Sequence, residues 1–205
     1  MTDKSEDTDG TVVAAALRLA AEKGWHALSL RDIADGSGVG DTELRRRYTC
    51  KMAILLSHAK AIERQAAALE LPFDAEDSPR DRLFELLMQR IDLLNPQQAA
   101  IAAVLRDLPR DPVGMLAVAP EVLRLMAGIL EAAGLPARGP FGLLRGKGLA
   151  LIWFATLRVW ATDESPDHAR TMAALDGYLR RVEPWAGRFP DAAPFERRMA
   201  KTEES

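Results

Sequence analysis

Residues 38–51 read GVGDTELRRRYTCK and decide the fold. Gly38 permits a turn conformation that other residues resist. Val39 and Leu44 are apolar and spaced to pack a short following helix against the one before it. Upstream, Ile33-Ala34 supplies the matching face, with a small alanine where two helices come close. These five positions have the spacing of a helix-turn-helix. The exposed part of the second helix is mixed in charge. Arg45, Arg46 and Arg47 suit phosphate, while Asp41 and Glu43 sit at the leading end. Successive helical residues are about 100° apart, so the three arginines fan around the axis. Asp41–Arg45 and Glu43–Arg47 are i,i+4 pairs and Glu43–Arg46 is i,i+3, so the helix can neutralise itself. A carboxylate at a helix start favours the helix but opposes a nearby phosphate. It can nonetheless accept from a cytosine amino group in the major groove.

Working outward, almost every segment has helical character, and the chain is expected to be all-α, with about nine helices. Ala, Leu, Arg and Glu dominate and β-branched runs are absent. Four cap–proline pairs, Ser78-Pro79, Asn95-Pro96, Asp111-Pro112 and Ser165-Pro166, predict helix starts. Helices are predicted over 10–24, 29–36, 41–48, 51–70, 79–94, 96–108, 112–133, 143–162 and 166–183. Ser29 and Asp32 are expected to form a capping box for the second, and Pro120 is expected to break or restart the seventh. Loops are expected at 72–78 and 134–142. Val13, Ala16, Leu17 and Ala20 give the first helix one packing face; Leu55, Ala59, Ile62, Ala66 and Leu69 do so for the fourth. Residues 1–9 are expected to be disordered, 10–55 to form the helix-turn-helix unit, 56–184 a larger helical unit, and 185–205 a loose tail with a short amphipathic turn at Phe195–Met199.

The 205 residues are 48% hydrophobic, enough for a sizeable core, and the formal net charge is −3. Any nucleic-acid contact must therefore come from a local basic patch. The lone cysteine, Cys50, excludes an internal disulfide and fits a reducing compartment. The acidic start MTDKSEDTDG is unlike a secretory signal. The longest strongly apolar run, Leu149 to Leu157, is about half of what a membrane span needs. These features predict a cytoplasmic protein with no membrane span. His26, His58 and His168 lie far apart, so no metal site is expected. No cofactor is expected either. Gly146-Lys147-Gly148 lacks the rest of a phosphate loop, and no nucleophile–base arrangement stands out, so no enzyme is expected.

The stretch AALRLAAEKGWHALSLRDIADGSGVGDTELRRRYTCKMAILLSHA resembles the N-terminal domain of the TetR family of transcriptional regulators. The resemblance covers roughly residues 11–58. It rests on the alanine- and leucine-rich first helix with its closing glycine, on Trp25, LRDIA and the Gly-Val turn, and on Leu44, Tyr48 and Lys51. It implies a small DNA-binding domain followed by a helical domain with a small-molecule pocket and a dimer interface on the last two long helices. Ligand binding there releases operator DNA, as in a repressor. The family usually has Ser or Thr, then a basic residue, where this chain has Gly40 and Asp41. The DNA-binding positions implied here are Ser29, Gly40, Thr42, Arg45, Arg46 and Lys51.

A pocket for a small apolar ligand or lipid is expected among Phe84, Leu87, Met88, Met115, Leu123 and Met126, since methionines suit adaptable apolar sites. A homodimer interface is expected at Leu149, Trp153, Thr156, Trp160 and Leu175. Trp153 and Trp160 are seven residues apart and share a helix face. Residues 80–182 also resemble the TetR-related accessory protein of ubiquinone biosynthesis, carried by DRLFELLMQRIDLLNP, AAVLRDLPRDP and above all the Glu164–Thr171 element. That resemblance implies the alternative: a lipid- or isoprenoid-binding accessory protein whose helix-turn-helix does not bind DNA.

Overall fold

The structure, a computed structural model, describes residues 2–69, 71–74 and 76–186, with side chains for 7–69, 71–74 and 76–182, and all regular secondary structure among them is helical. Among the described residues, nine α-helices and two short 3-10 turns follow one another. The first unit holds α1 (Thr2–Lys23), α2 (Leu30–Ser37), α3 (Asp41–Arg47) and α4 (Lys51–Ala68). The second holds α5 (Pro79–Leu94), α6 (Gln98–Asp107), α7 (Pro112–Ala132), α8 (Gly139–Trp160) and α9 (Ala169–Ala186). The 3-10 turns, Asn95–Gln97 and Leu108–Arg110, flank α6. The fold class matches the all-α reading of the sequence.

α1 starts at Thr2, so within the segment 1–9 expected to be disordered, residues 2–9 are helical. Asp9 is anchored, since its carboxylate accepts from Tyr48 Oη at 2.8 Å and Arg47 Nη1 at 3.1 Å. The loose tail from 187 onward, with its turn at 195–199, lies outside the described residues. Ser78 and Asp111 cap α5 and α7 as predicted, each accepting from a backbone N–H of the first turn. Pro120 does not break α7. The carbonyl it leaves without a partner belongs to Leu116, four residues back on a turn whose side chain is 76% exposed, where water can replace the lost N–H. α7 is long and apolar enough to cross a membrane by length and composition alone, yet it packs against α4 and α8.

Two further starts differ from the sequence reading. Asn95-Pro96 opens a 3-10 turn that runs into α6 rather than a capped helix. Ser165-Pro166 lies in a turn, and α9 begins at Ala169. The reason is Asp163, which is 2% exposed. Its Oδ1 accepts from the Ser165 N–H (3.1 Å) and hydroxyl, and its Oδ2 from the Thr171 N–H (2.8 Å) and hydroxyl (2.7 Å). One carboxylate thus fixes the α8–α9 turn and caps α9 from eight residues upstream. Burial alone would raise its pKa, but the four hydrogen bonds outweigh it and hold the carboxyl well below the usual carboxylate range. Asp163→Asn puts an amide against two of these donors and is expected to cost about 2–3 kcal/mol. The sign follows from the depressed folded pKa. The contribution is complete above the unfolded pKa of about 4 and is lost as pH falls through the folded value. Urea unfolding should therefore show a constant deficit for the variant above pH 5 that shrinks below pH 4. A deficit independent of pH down to acid unfolding would refute the ionic role.

The core forms two clusters. One joins α1–α4 to the end of α5, α6, Val118 and the C-terminal end of α8, with Trp25, Ile33, Leu44, Ile91, Leu105 and Trp160 in the same cluster. The other lies among α5, α7, α8 and α9 around Leu87, Ile129, Leu149 and Leu175. The first crosses the boundary expected at residue 55, so the N-terminal unit is seated on the second rather than hung from a linker. Asp107 at the end of α6 reinforces the seat by accepting from the His26 N–H at 2.9 Å.

Candidate nucleic-acid interface

The helix-turn-helix is built from local chemistry. Ser29 caps α2: its Oγ accepts from the Asp32 N–H (3.2 Å) while the Asp32 carboxylate accepts from the Ser29 N–H (2.9 Å). This is the predicted capping box. The Ser29 hydroxyl, which also donates to the Asp32 carboxylate, and the Ser29 N–H together hold that carboxyl below its usual pKa. α2 ends at Gly38, whose φ of 72° is left-handed and suits glycine. Ile33 and Leu44 are fully buried, Ala34 and Tyr48 nearly so, and Val39 packs against the same cluster. α3 is thereby held by its apolar side, with Ser29, Gly40, Thr42, Arg45 and Arg46 exposed.

The charges of α3 are arranged as the spacing predicts for two of the three pairs. Arg45 Nε donates to both Asp41 oxygens, at 3.0 and 2.9 Å. Arg47 donates to Glu43 Oε1 from Nε (3.3 Å) and Nη2 (3.1 Å), and turns back onto Asp9 of α1. Arg46 has no ion pair or hydrogen bond among the described residues. Lys51 behaves differently from the expectation for a phosphate ligand. Its Nζ lies over the Trp25 ring, 5.3 Å from the centroid, and donates to the carbonyls of Trp25 (2.8 Å), His26 (3.3 Å) and Leu28 (3.1 Å). Three carbonyls of the α1–α2 turn converge on one cation, so Lys51 here staples that turn.

Residues 12–57 match the family model for bacterial regulatory proteins of the tetR family. That segment is thus similar to the TetR N-terminal domain. Solved TetR structures share the fold along most of their length. A TetR transcriptional regulator from Nitrosomonas europaea is 22% identical, with 86% of this chain and 98% of that one covered and a TM-score of 0.57. A TetR regulator from a Rhodococcus species is 20% identical, covering 86% and 97%, with a TM-score of 0.61. FadR of Thermus thermophilus, a TetR-family repressor solved with lauroyl-CoA, is 22% identical, covering 91% and 97%, with a TM-score of 0.55. No curated protein sequence matches the chain.

Within this TetR fold, the expected pocket and interface residues fall as follows. Phe84, Leu87, Met88 and Met126 belong to the core cluster of α5, α7, α8 and α9, and Leu123 is half-buried on α7. Met115 lies instead on an outer groove with Leu105, Leu108, Leu151, Phe154 and Tyr178. The groove has a volume of ≈ 770 Å³. Leu149, Thr156, Trp160 and Leu175 are buried within the single chain, and Trp153 is half-buried between the two cores. The face that α8 turns outward carries Leu144, Leu151, Phe154 and Arg158, with Leu151 74% exposed. The seven-residue repeat selected a real face of α8, but it is the inner one. The sequence reading missed Asp9, because a carboxylate in a polar leader carries no sign of a tyrosine thirty-nine residues away.

Proposed function

We propose that this chain is a cytoplasmic, homodimeric one-component transcriptional regulator, not an enzyme, which binds operator DNA through α3 and is released by a small apolar effector. The observation that carries the reading is α3 itself: one side locked by Leu44 and Tyr48, the other presenting Thr42, Arg45 and Arg46 to solvent, within a domain that matches the tetR family model. Two such helices on a dimer suit two half-sites one helical turn apart. The exposed apolar stripe of α8, with Val182 of α9 alongside, supports dimerisation through that face. The acyl-CoA bound by the Thermus repressor supports an apolar effector, taken up among the α5–α8 residues named above.

Salt-dependent binding to a randomised duplex library tests the reading. Arg46→Ala is expected to weaken binding to all sequences alike and to reduce the salt slope by about 1, the signature of one lost phosphate contact. Wild-type protein that enriches no sequence and shows no salt dependence would refute it. The rival reading, a lipid- or isoprenoid-binding accessory protein, is favoured by the engagement of Arg45, Arg47 and Lys51 within the chain. Mass spectrometry of co-purified lipid, together with absent DNA binding, would establish the rival.

A further inference from the structure

The engagement of Arg45 differs in kind from that of Arg47. Arg47 is turned back across the domain, its side chain 23% exposed between Glu43 and Asp9. Arg45 stays on the outer side, with its side chain 54% exposed, and only its Nε is engaged. Nη1 and Nη2 have no partner among the described residues. A guanidinium is a rigid planar fork of five N–H donors. Fixing Nε against a carboxylate one turn back fixes the plane of that fork and leaves its outer edge free. An otherwise flexible exposed arginine is thereby held ready before it meets a partner, and less rotamer freedom is lost on binding.

The free edge suits a planar partner with two adjacent acceptors. In the major groove guanine offers O6 and N7, whereas adenine pairs its N7 with an N6 donor that opposes an arginine. A phosphate also offers two oxygens, but its charge repels the Asp41 carboxylate, side chain 45% exposed beside Arg45. An uncharged base edge carries no such penalty. Thr42, one turn back from Arg45, is also exposed, while Arg46 projects about 100° around the helix from Arg45.

We propose that Arg45 reads one guanine in each half-site through Nη1 and Nη2, and that Asp41 is its positioning residue. The inference rests on the DNA-binding reading above. It changes the role of the acidic residue from an obstacle to DNA into part of the reader, and it predicts that removing Asp41 raises affinity while lowering discrimination.

The test uses the full chain and the consensus that it selects from a randomised duplex library. The wild-type consensus should hold a guanine in each half-site whose replacement by adenine costs about 5- to 150-fold in affinity. Replacing that base by 7-deazaguanine, which lacks N7, should weaken wild-type binding and leave Arg45→Ala unchanged. Asp41→Asn should bind all duplexes more tightly, with a guanine-to-adenine ratio several-fold below wild type. Both residues are exposed, so thermal unfolding should be little changed and serves as the folding control. Retention of the wild-type ratio by Arg45→Ala would overturn the guanine assignment. Tighter binding by Asp41→Asn with an unchanged ratio would show that Asp41 only repels DNA, and would overturn the positioning role. A wild-type chain that enriches no duplex brings down the DNA-binding reading, and this inference with it. The wild-type arm alone tells that failure apart from the other two.

Discussion

Trp160→Glu is expected to unfold the protein, not to split a dimer. Trp160 is fully buried where the end of α8 meets α6 and the N-terminal unit. Its indole Nε1 donates to Asn95 Oδ1 at 2.9 Å, and its carbonyl accepts from Gln98 Nε2 at 2.7 Å. Removing a buried tryptophan costs about 3–5 kcal/mol. The incoming carboxylate finds an apolar site and adds a desolvation penalty of its own. The sum approaches the whole stability of an ordinary domain, about 5–15 kcal/mol. Circular dichroism should report lost cooperative unfolding, and the milder Trp160→Phe should still fold with a lowered melting temperature. Leu151→Glu is the matching control. It changes a residue that is 74% exposed, so it should leave the melting temperature of the monomer nearly intact while sedimentation shows the dimer weakened. A folded, monomeric Trp160→Glu protein would reverse the assignment and return the inner face of α8 to the interface.

That contrast shows where the sequence is informative. The helix-turn-helix was legible because its signals are local: a capping box within four residues, a glycine at the turn, and apolar positions at helical spacing. The fold class followed from composition and from Ser78 and Asp111, which cap their own helices. α8 was harder for a physical reason. Leu149, Ile152, Thr156 and Trp160 form one apolar face and Leu144, Leu151 and Phe154 another. A helix apolar on two sides has a period but no sign of which side is inward. The pairing of Asp9 with Tyr48, the cap that Asp163 gives α9, and the tie between Glu63 and Arg90 join residues whose partners are chosen by the fold. No pattern of neighbours announces them.

Arg90→Ala should be among the most destabilising single changes outside the apolar core, at about 3–5 kcal/mol. Arg90 is 5% exposed on α5, and Glu63 faces it from α4. Nε donates to Glu63 Oε1 at 2.7 Å and Nη2 to Oε2 at 2.6 Å, a two-pronged match of planar groups. Nη1 donates to the Leu86 carbonyl at 2.6 Å. The arginine therefore leaves none of its three nitrogens idle. Alanine removes the cation but not the Glu63 carboxylate, whose half-buried side chain loses its partner, and that is where most of the cost arises. For a chain of this size the melting temperature should fall by about 6–20 °C. The double variant Glu63→Leu with Arg90→Met removes both charges and refills the space, so it should regain most of the loss. A double variant no more stable than Arg90→Ala would mean that packing, rather than a stranded charge, sets the cost. The bridge also ties α4 to the second unit, and α4 carries Lys51, the staple of the α1–α2 turn. The single variant should therefore loosen the seat of the helix-turn-helix, and with it the fixed distance between two α3 helices that a dimer needs to meet two half-sites.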